Sequence, residues 1–132
     1  VLKLVGLVII SHSNEIAEGT KKLAHEMAKE VPIAAAGGTE DGRIGSDINK
    51  ILDAINEVYS DEGVLILFDL GSAFMNAEMA IEMLDDTMKA NVEILDVALV
   101  EGAITAAVES SMDKNRSEIK EALKGLSLGK IS

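Results

Sequence analysis

Short apolar runs alternate with longer segments of helical periodicity. Residues 2–10 are a near-continuous aliphatic run, the pattern of a strand buried on both faces. Residues 15–29 then place Ile16, Leu23 and Met27 on one stripe at helical spacing, which predicts an amphipathic helix. Residues 32–36 predict a second strand, 37–46 a loop with four glycines, and 47–59 a helix buried along Ile48, Ile51, Leu52, Ile55 and Val58. A third strand is expected at 63–68, a turn at 69–73, a third helix at 74–88 and a fourth strand at 92–98. Two more helices are expected at 102–112 and 117–126, and the tail from 127 to 132 is expected to fray.

Strands that alternate with helices predict an α/β domain: a doubly wound, mostly parallel sheet with helices on both faces. Right-handed crossovers restrict its topology to a few orders, of which 2-1-3-4 is the expectation. The chain shows no internal repeat, and its 132 residues suit one domain, 1–132, with a real core.

In such a sheet, ligands bind outside the carboxyl ends of the strands, where the strand order reverses. His12 lies just past strand one and Asp69 just past strand three, so in the order 2-1-3-4 they leave neighbouring strands about 5 Å apart. A carboxylate that accepts the proton of one imidazole nitrogen fixes the tautomer and leaves the other nitrogen with its lone pair. The flanking residues suit a phosphoryl group. Ser13 or Asn14 can cap the first helix, and Gly71-Ser72 precedes the third, so two helix starts present free N–H groups. The hydroxyls of Ser11, Ser13, Thr39 and Ser72 are further donors, and Gly37-Gly38-Thr39 lets backbone approach an oxyanion.

The other histidine, His25, falls on the helix face opposite Ile16 and is expected to be a solvated surface residue. Met75, Met79 and Met83 form a stripe expected to be core. With Ile81, Leu84 and Met88 elsewhere around the same helix, the apolar surface is broad enough to suggest burial on two sides, as in a dimer interface.

Composition narrows the function classes. The chain has no cysteine, which excludes thiolate catalysis and Cys-ligated zinc and fits a reducing cytoplasm. A net charge of −11 argues against nucleic acid and anionic membrane surfaces and favours encounter with basic partners. The N-terminal apolar run is too short to span a bilayer. There is no Gly-Lys-Ser/Thr loop, no Gly-x-Ser-x-Gly elbow and no pair of neighbouring histidines, so neither a bound cofactor nor a metal is expected.

The segments "LVIISHSNEIAEG", "AAAGGTEDGRIGSD", "VLILFDLGSAFMNAEMA" and "ALVEGAITAA" occur here in the order and with the spacing of one family. The chain resembles the phosphoryl-donor subunits of the phosphoenolpyruvate-dependent dihydroxyacetone kinases, which are similar to the mannose-type EIIA domains of the bacterial sugar phosphotransferase system. The resemblance implies a mannose-type EIIA fold that forms a homodimer, with His12 as the phosphorylated histidine and Asp69 as its orienting carboxylate. By position it implies that Gly38, Thr39, Gly71 and Ser72 line the phosphohistidine; Ser13 is a phosphate-binding candidate on the reading of the residues alone. It further implies that phospho-HPr is the donor and that ADP on the kinase's nucleotide-binding subunit is the acceptor. Some members carry HPr-like and enzyme-I-like domains after this one. None lies in these 132 residues, so a separate HPr is the expected donor. The turn "DLGSA" departs from the mannose-type turn. Alternatives are a sugar-transport EIIA, a non-catalytic anion-binding domain, and a receiver-like phospho-Asp domain, which would need acidic residues where Ser11-His12-Ser13 stands.

Overall fold

Alternation of side chains across a pleated strand requires a strand buried on both faces to be apolar at every position. β1 (Gly6–Ser11) meets that requirement up to its last residue, and all six of its residues are buried. In the computed structural model, which describes residues 3–131, β1 pairs in parallel with β2 (Ile33–Gly37) on one side and with β3 (Val64–Phe68) on the other. β4 (Val92–Leu95) adds to β3, again in parallel, and the sheet order is β2-β1-β3-β4, as expected.

The helices divide between the two faces. Leu7, Ile9, Leu65 and Leu67 point to a core shared with α1 (Asn14–Met27), α5 (Leu99–Ser111) and α6 (Arg116–Ala122). Val8, Ile10, Val64, Ile66 and Phe68 point to a second core under α2 (Ile48–Val58) and α3 (Gly71–Glu82). Each large aliphatic or aromatic side chain so buried contributes about 1.5–3 kcal/mol relative to exposure. A short α4 (Asp86–Lys89), capped by Asp85, separates α3 from β4. No helix of the described residues is long and apolar enough to cross a membrane.

Several expectations are corrected. First, the third helix starts at Gly71 rather than at residue 74 and ends at Glu82. Gly71 and Ser72 therefore belong to its first turn, not to the loop before it. Second, α1 buries Ala17, Thr20 and Ala24, while Ile16, Leu23 and Met27 are exposed. The cause is close packing. A Cβ added at Gly37 would lie 2.7 Å from the Ala17 methyl and 2.7 Å from the Asn14 Cα, so only small side chains fit where α1 crosses β2. His25 borders that small-residue face, is half-buried, and bonds the Val31 carbonyl with Nε2 at 2.8 Å, rather than standing free in solvent.

Third, Met75, Met79 and Met83 are 64 %, 53 % and 64 % exposed, so this stripe is surface and not core. The buried face of α3 is Ala73, Ala77 and Ala80, again small residues that let the helix approach the sheet. Fourth, residues 127–131 are tied down. Ser127 forms an antiparallel bridge with Val97, and the Ile131 N–H donates to Asp96 Oδ2 at 3.1 Å. Lys130 Nζ donates to the carbonyls of Phe68 and Val97. Ser132 and Leu2, parts of the expected tail and first strand, lie outside the described residues.

Candidate functional site

The register of the two central strands dictates what meets at their carboxyl ends. Ile10 is paired with Phe68, so the next residues out, Ser11 and Asp69, face one another, with His12 just beyond. This is the point where the strand order reverses. Ser11 closes β1 fully buried, and its hydroxyl donates to Asp69 Oδ2 at 2.8 Å while accepting the Ser13 N–H at 3.1 Å.

Asp69 receives four hydrogen bonds. Oδ2 accepts the Ser11 hydroxyl and the His12 backbone N–H at 2.9 Å; Oδ1 accepts the Leu70 N–H at 2.7 Å and meets His12 Nδ1 at 2.9 Å. Burial by itself pushes the Asp69 carboxyl up, but the hydrogen bonds from His12, Ser11 and Leu70 outweigh it and hold the group below its ordinary value of 3.8. The carboxylate is thus ionised near neutrality and acts only as an acceptor, which places a proton on Nδ1. The other nitrogen, Nε2, lies 2.7 Å from the Ser72 hydroxyl. The ring is not sealed: the His12 side chain is 17 % exposed, and Ser72 is exposed beside it.

Two helix starts flank the imidazole and they differ. α1 is capped by Ser13, whose hydroxyl accepts the Ile16 N–H at 3.4 Å. α3 has Leu70 at its N-cap and no side-chain cap bond, so the amides of its first turn, Gly71 and Ser72, receive nothing from the capping side chain. A third loop closes the rim. The Gly38 N–H bonds the Ser11 carbonyl at 3.1 Å and the Gly45 N–H bonds the His12 carbonyl at 2.9 Å. Gly38 holds φ +69, the left-handed region that favours glycine. Thr39, by contrast, spends its hydroxyl within this loop, donating to Asp41 Oδ1 at 2.5 Å and accepting the Arg43 N–H at 3.0 Å.

Of the residues singled out from the sequence, His12, Asp69 and Ser72 are brought into one hydrogen-bonded chain. Ser13, Gly71 and Gly38 border it, and Thr39 is turned into its own loop. Two roles escaped the sequence reading. Ser11 supports Asp69 from below; its place at the end of an aliphatic strand was visible, its direction was not. Lys130 reaches the carbonyl of Phe68 from 62 residues away, and nothing in the local pattern signalled it. Among the described residues no three His, Cys, Asp or Glu side chains gather as metal ligands. A shallow concavity lined by Glu18, Lys21, His25 and Lys29 lies along α1, about 20 Å of helix from His12. His12 itself stands on an open rim, the shape that suits a macromolecular partner better than an enclosed small molecule.

The family model described as EIIA-man, PTS system fructose IIA component, matches residues 6–120. The chain belongs to this family. Within it, the chain is 42 % identical over 125 residues to the phosphotransferase subunit DhaM of the PTS-dependent dihydroxyacetone kinase of Lactococcus lactis subsp. lactis, covering 95 % of this chain and 98 % of that protein. It is 39 % identical to the phosphoryl donor subunit DhaM of the PEP-dependent dihydroxyacetone kinase 2 of Listeria innocua, covering 91 % of this chain and 97 % of that one. Among solved structures, a protein of unknown function superposes with a TM-score of 0.84 at 32 % identity, over 95 % of this chain and 96 % of its own. The mannose-type EIIA fold expected from the sequence is therefore the fold of this chain. These two relatives, matched over nearly their whole length, are named as a phosphotransferase subunit and a phosphoryl donor subunit of dihydroxyacetone kinases.

Proposed function

We propose that this EIIA-man family chain is a phosphohistidine carrier that takes a phosphoryl group from phospho-HPr onto His12 and passes it to ADP held on the nucleotide-binding subunit of a dihydroxyacetone kinase. The observation that carries the reading is the chain Asp69 Oδ1···Nδ1–His12–Nε2···Ser72 Oγ, at 2.9 and 2.7 Å on an open rim. Support comes also from the two relatives, whose names describe a phosphotransferase subunit and a phosphoryl donor subunit.

In the forward step the Nε2 lone pair attacks the phosphorus of the phospho-donor in line. A P–Nε2 bond forms as the bond from phosphorus to the donor imidazole breaks, and the departing nitrogen keeps the electron pair. Asp69 keeps Nδ1–H in place and stabilises the positive charge that grows on the ring. The Ser72 hydroxyl and the uncapped first-turn amides of α3 face the equatorial oxygens, which is the help that phosphoryl transfer draws from a protein. In the second step a terminal phosphate oxygen of ADP attacks and Nε2 leaves. Gly38, Gly71 and Ser13 supply close backbone approach at the rim; Thr39 shapes its loop and is spared direct contact. HPr and the nucleotide-bearing subunit approach in turn, and a basic donor surface complements the net charge of −11. The exposed Met75, Met79 and Met83 stripe is the face where a second copy docks, giving a homodimer. The reading carries no resident cofactor or metal, and it places the carrier in the cytoplasm with its partners.

The test is incubation with phosphoenolpyruvate, enzyme I and HPr, then addition of the ADP-loaded kinase subunit. One acid-labile, alkali-stable phosphate per chain that is discharged by the kinase subunit is the expected result. Discharge to a sugar-permease component instead would point to the transport branch. No covalent phosphate would leave only an anion-binding module, and an alkali-labile acyl phosphate would move the site to an aspartate.

A further inference from the structure

We propose that Lys130 is a positioning residue for His12: its ammonium clamps the peptide leading into Asp69 and so fixes the carboxylate that orients the imidazole. The proposal rests on the carrier reading of His12 and deepens it.

Lys130 Nζ donates to the carbonyl of Phe68, the last residue of β3, and to that of Val97 at 2.7 Å. The Phe68 carbonyl belongs to the same peptide unit as the Asp69 N–H, so a donor held on it fixes the plane from which the Asp69 side chain departs. The ammonium also stands 4.3 Å above the centroid of the Phe68 ring, itself fully buried. On the other side of the turn, the Lys130 carbonyl oxygen lies 3.0 Å from where a Cβ at Gly71 would stand. The 127–131 segment thus touches the 69–72 turn at both ends, and that turn carries both partners of the imidazole, Asp69 and Ser72. The segment is fixed in turn by the Ser127–Val97 bridge and by the Ile131 N–H on Asp96.

Two charged groups face the ammonium, Asp69 and Asp96. Burial lowers the affinity of Lys130 for its proton, and the two carboxylates oppose that without overcoming it. Asp96 Oδ1 is buried and has no hydrogen-bond partner among the described residues, so its charge is answered by Lys130 across space. Without the ammonium the carbonyls of Phe68 and Val97 lose their donor, and the turn that carries Asp69 and Ser72 loses the clamp at its start.

The experiment compares the full chain with Lys130→Met, Lys130→Arg and, as a control in the turn just before this segment, the exposed Lys124→Met. It reads the initial rate of labelling from phospho-HPr and the imidazole 15N signals of unphosphorylated protein. Lys130→Met is expected to label about tenfold more slowly, with its His12 15N signals displaced from those of wild type. Lys130→Arg, which keeps the charge and can donate to two carbonyls, is expected to restore most of the rate and the wild-type signals. Lys124→Met should match wild type. Should Lys130→Met not fold, Lys130→Gln, which is uncharged and can donate to one carbonyl, takes its place under the same expectations. A wild-type rate and wild-type 15N signals in the uncharged variant, or equal impairment of the Met and Arg variants, would overturn the role. If wild type accepts no phosphoryl group the carrier reading fails, while the 15N signals still report whether Lys130 sets the state of the imidazole.

Discussion

The two histidines of this chain stand at opposite ends of α1 and are partnered in different ways. His12, at the β1–α1 junction, has a carboxylate on Nδ1 and a neutral hydroxyl on Nε2. His25, in the last turn, has a backbone carbonyl on Nε2. A carbonyl only accepts, so the bond fixes the His25 proton on Nε2 and ties the end of the helix to Val31. A carboxylate accepts too, but it carries a full charge and can stabilise positive charge that develops on the ring. Both rings are half-buried, so exposure does not separate them. The partner does: a neutral dipole on His25 locks a helix end, whereas an ion on His12, itself held by three further hydrogen bonds, keeps the proton on Nδ1 and turns Nε2 to the rim.

The contrast is sharpest in covalent labelling. His12→Ala should take no phosphoryl group from phospho-HPr, while His25→Ala should label within about twofold of wild type. Intact labelling in the first variant, or its loss from a folded second one, would reverse the assignment.

Next in size is the carboxylate. Asn at position 69 offers an N–H to Nδ1 in place of a negative oxygen and so favours the wrong tautomer. Asp69→Asn should slow labelling by about 10²–10⁴-fold, measured by rapid quench. The same variant carries a pH signature. The folded-state value of the Asp69 carboxyl lies below 3.8, so its contribution to stability is fully present above the unfolded-chain value and is lost as pH falls through the folded one. The gap in urea midpoint between wild type and Asp69→Asn should therefore be constant near neutrality and close in acid below 3.8. A gap that widened in acid would mean that Asp69 is not held as an anion.

Ser72 tests the other nitrogen. Its hydroxyl is a single neutral donor on an exposed rim, and Ser72→Ala should cost about tenfold in labelling rate with little change in stability. An unaffected rate would place the equatorial oxygens on the backbone amides alone. The smallest effect belongs to His25. Removing its bond to Val31 should cost about 1 kcal/mol in denaturant unfolding and leave transfer unchanged.

Much of this was legible along the chain. Aliphatic runs buried on both faces fix the strands, their alternation with helices fixes the doubly wound class, and the strand order puts the residues after β1 and β3 on one rim. His12 and Asp69 could be paired on that ground alone. Helix faces were read less well. On α1 and α3 the large apolar side chains lie outward and alanines lie inward, because where a helix crosses a sheet closely, volume decides the buried face before hydrophobicity does.

The sequence by itself determined the sheet and the rim that His12 and Asp69 share, since these follow from periodicity and from which residue types end each strand. Only the tertiary structure decided how many hydrogen bonds hold Asp69, that Ser72 lies in the first turn of α3 and meets Nε2, that Thr39 turns into its own loop, and that Lys130 returns to β3. Those outcomes depend on side-chain direction and on contacts between distant segments, and local pattern carries no information about either.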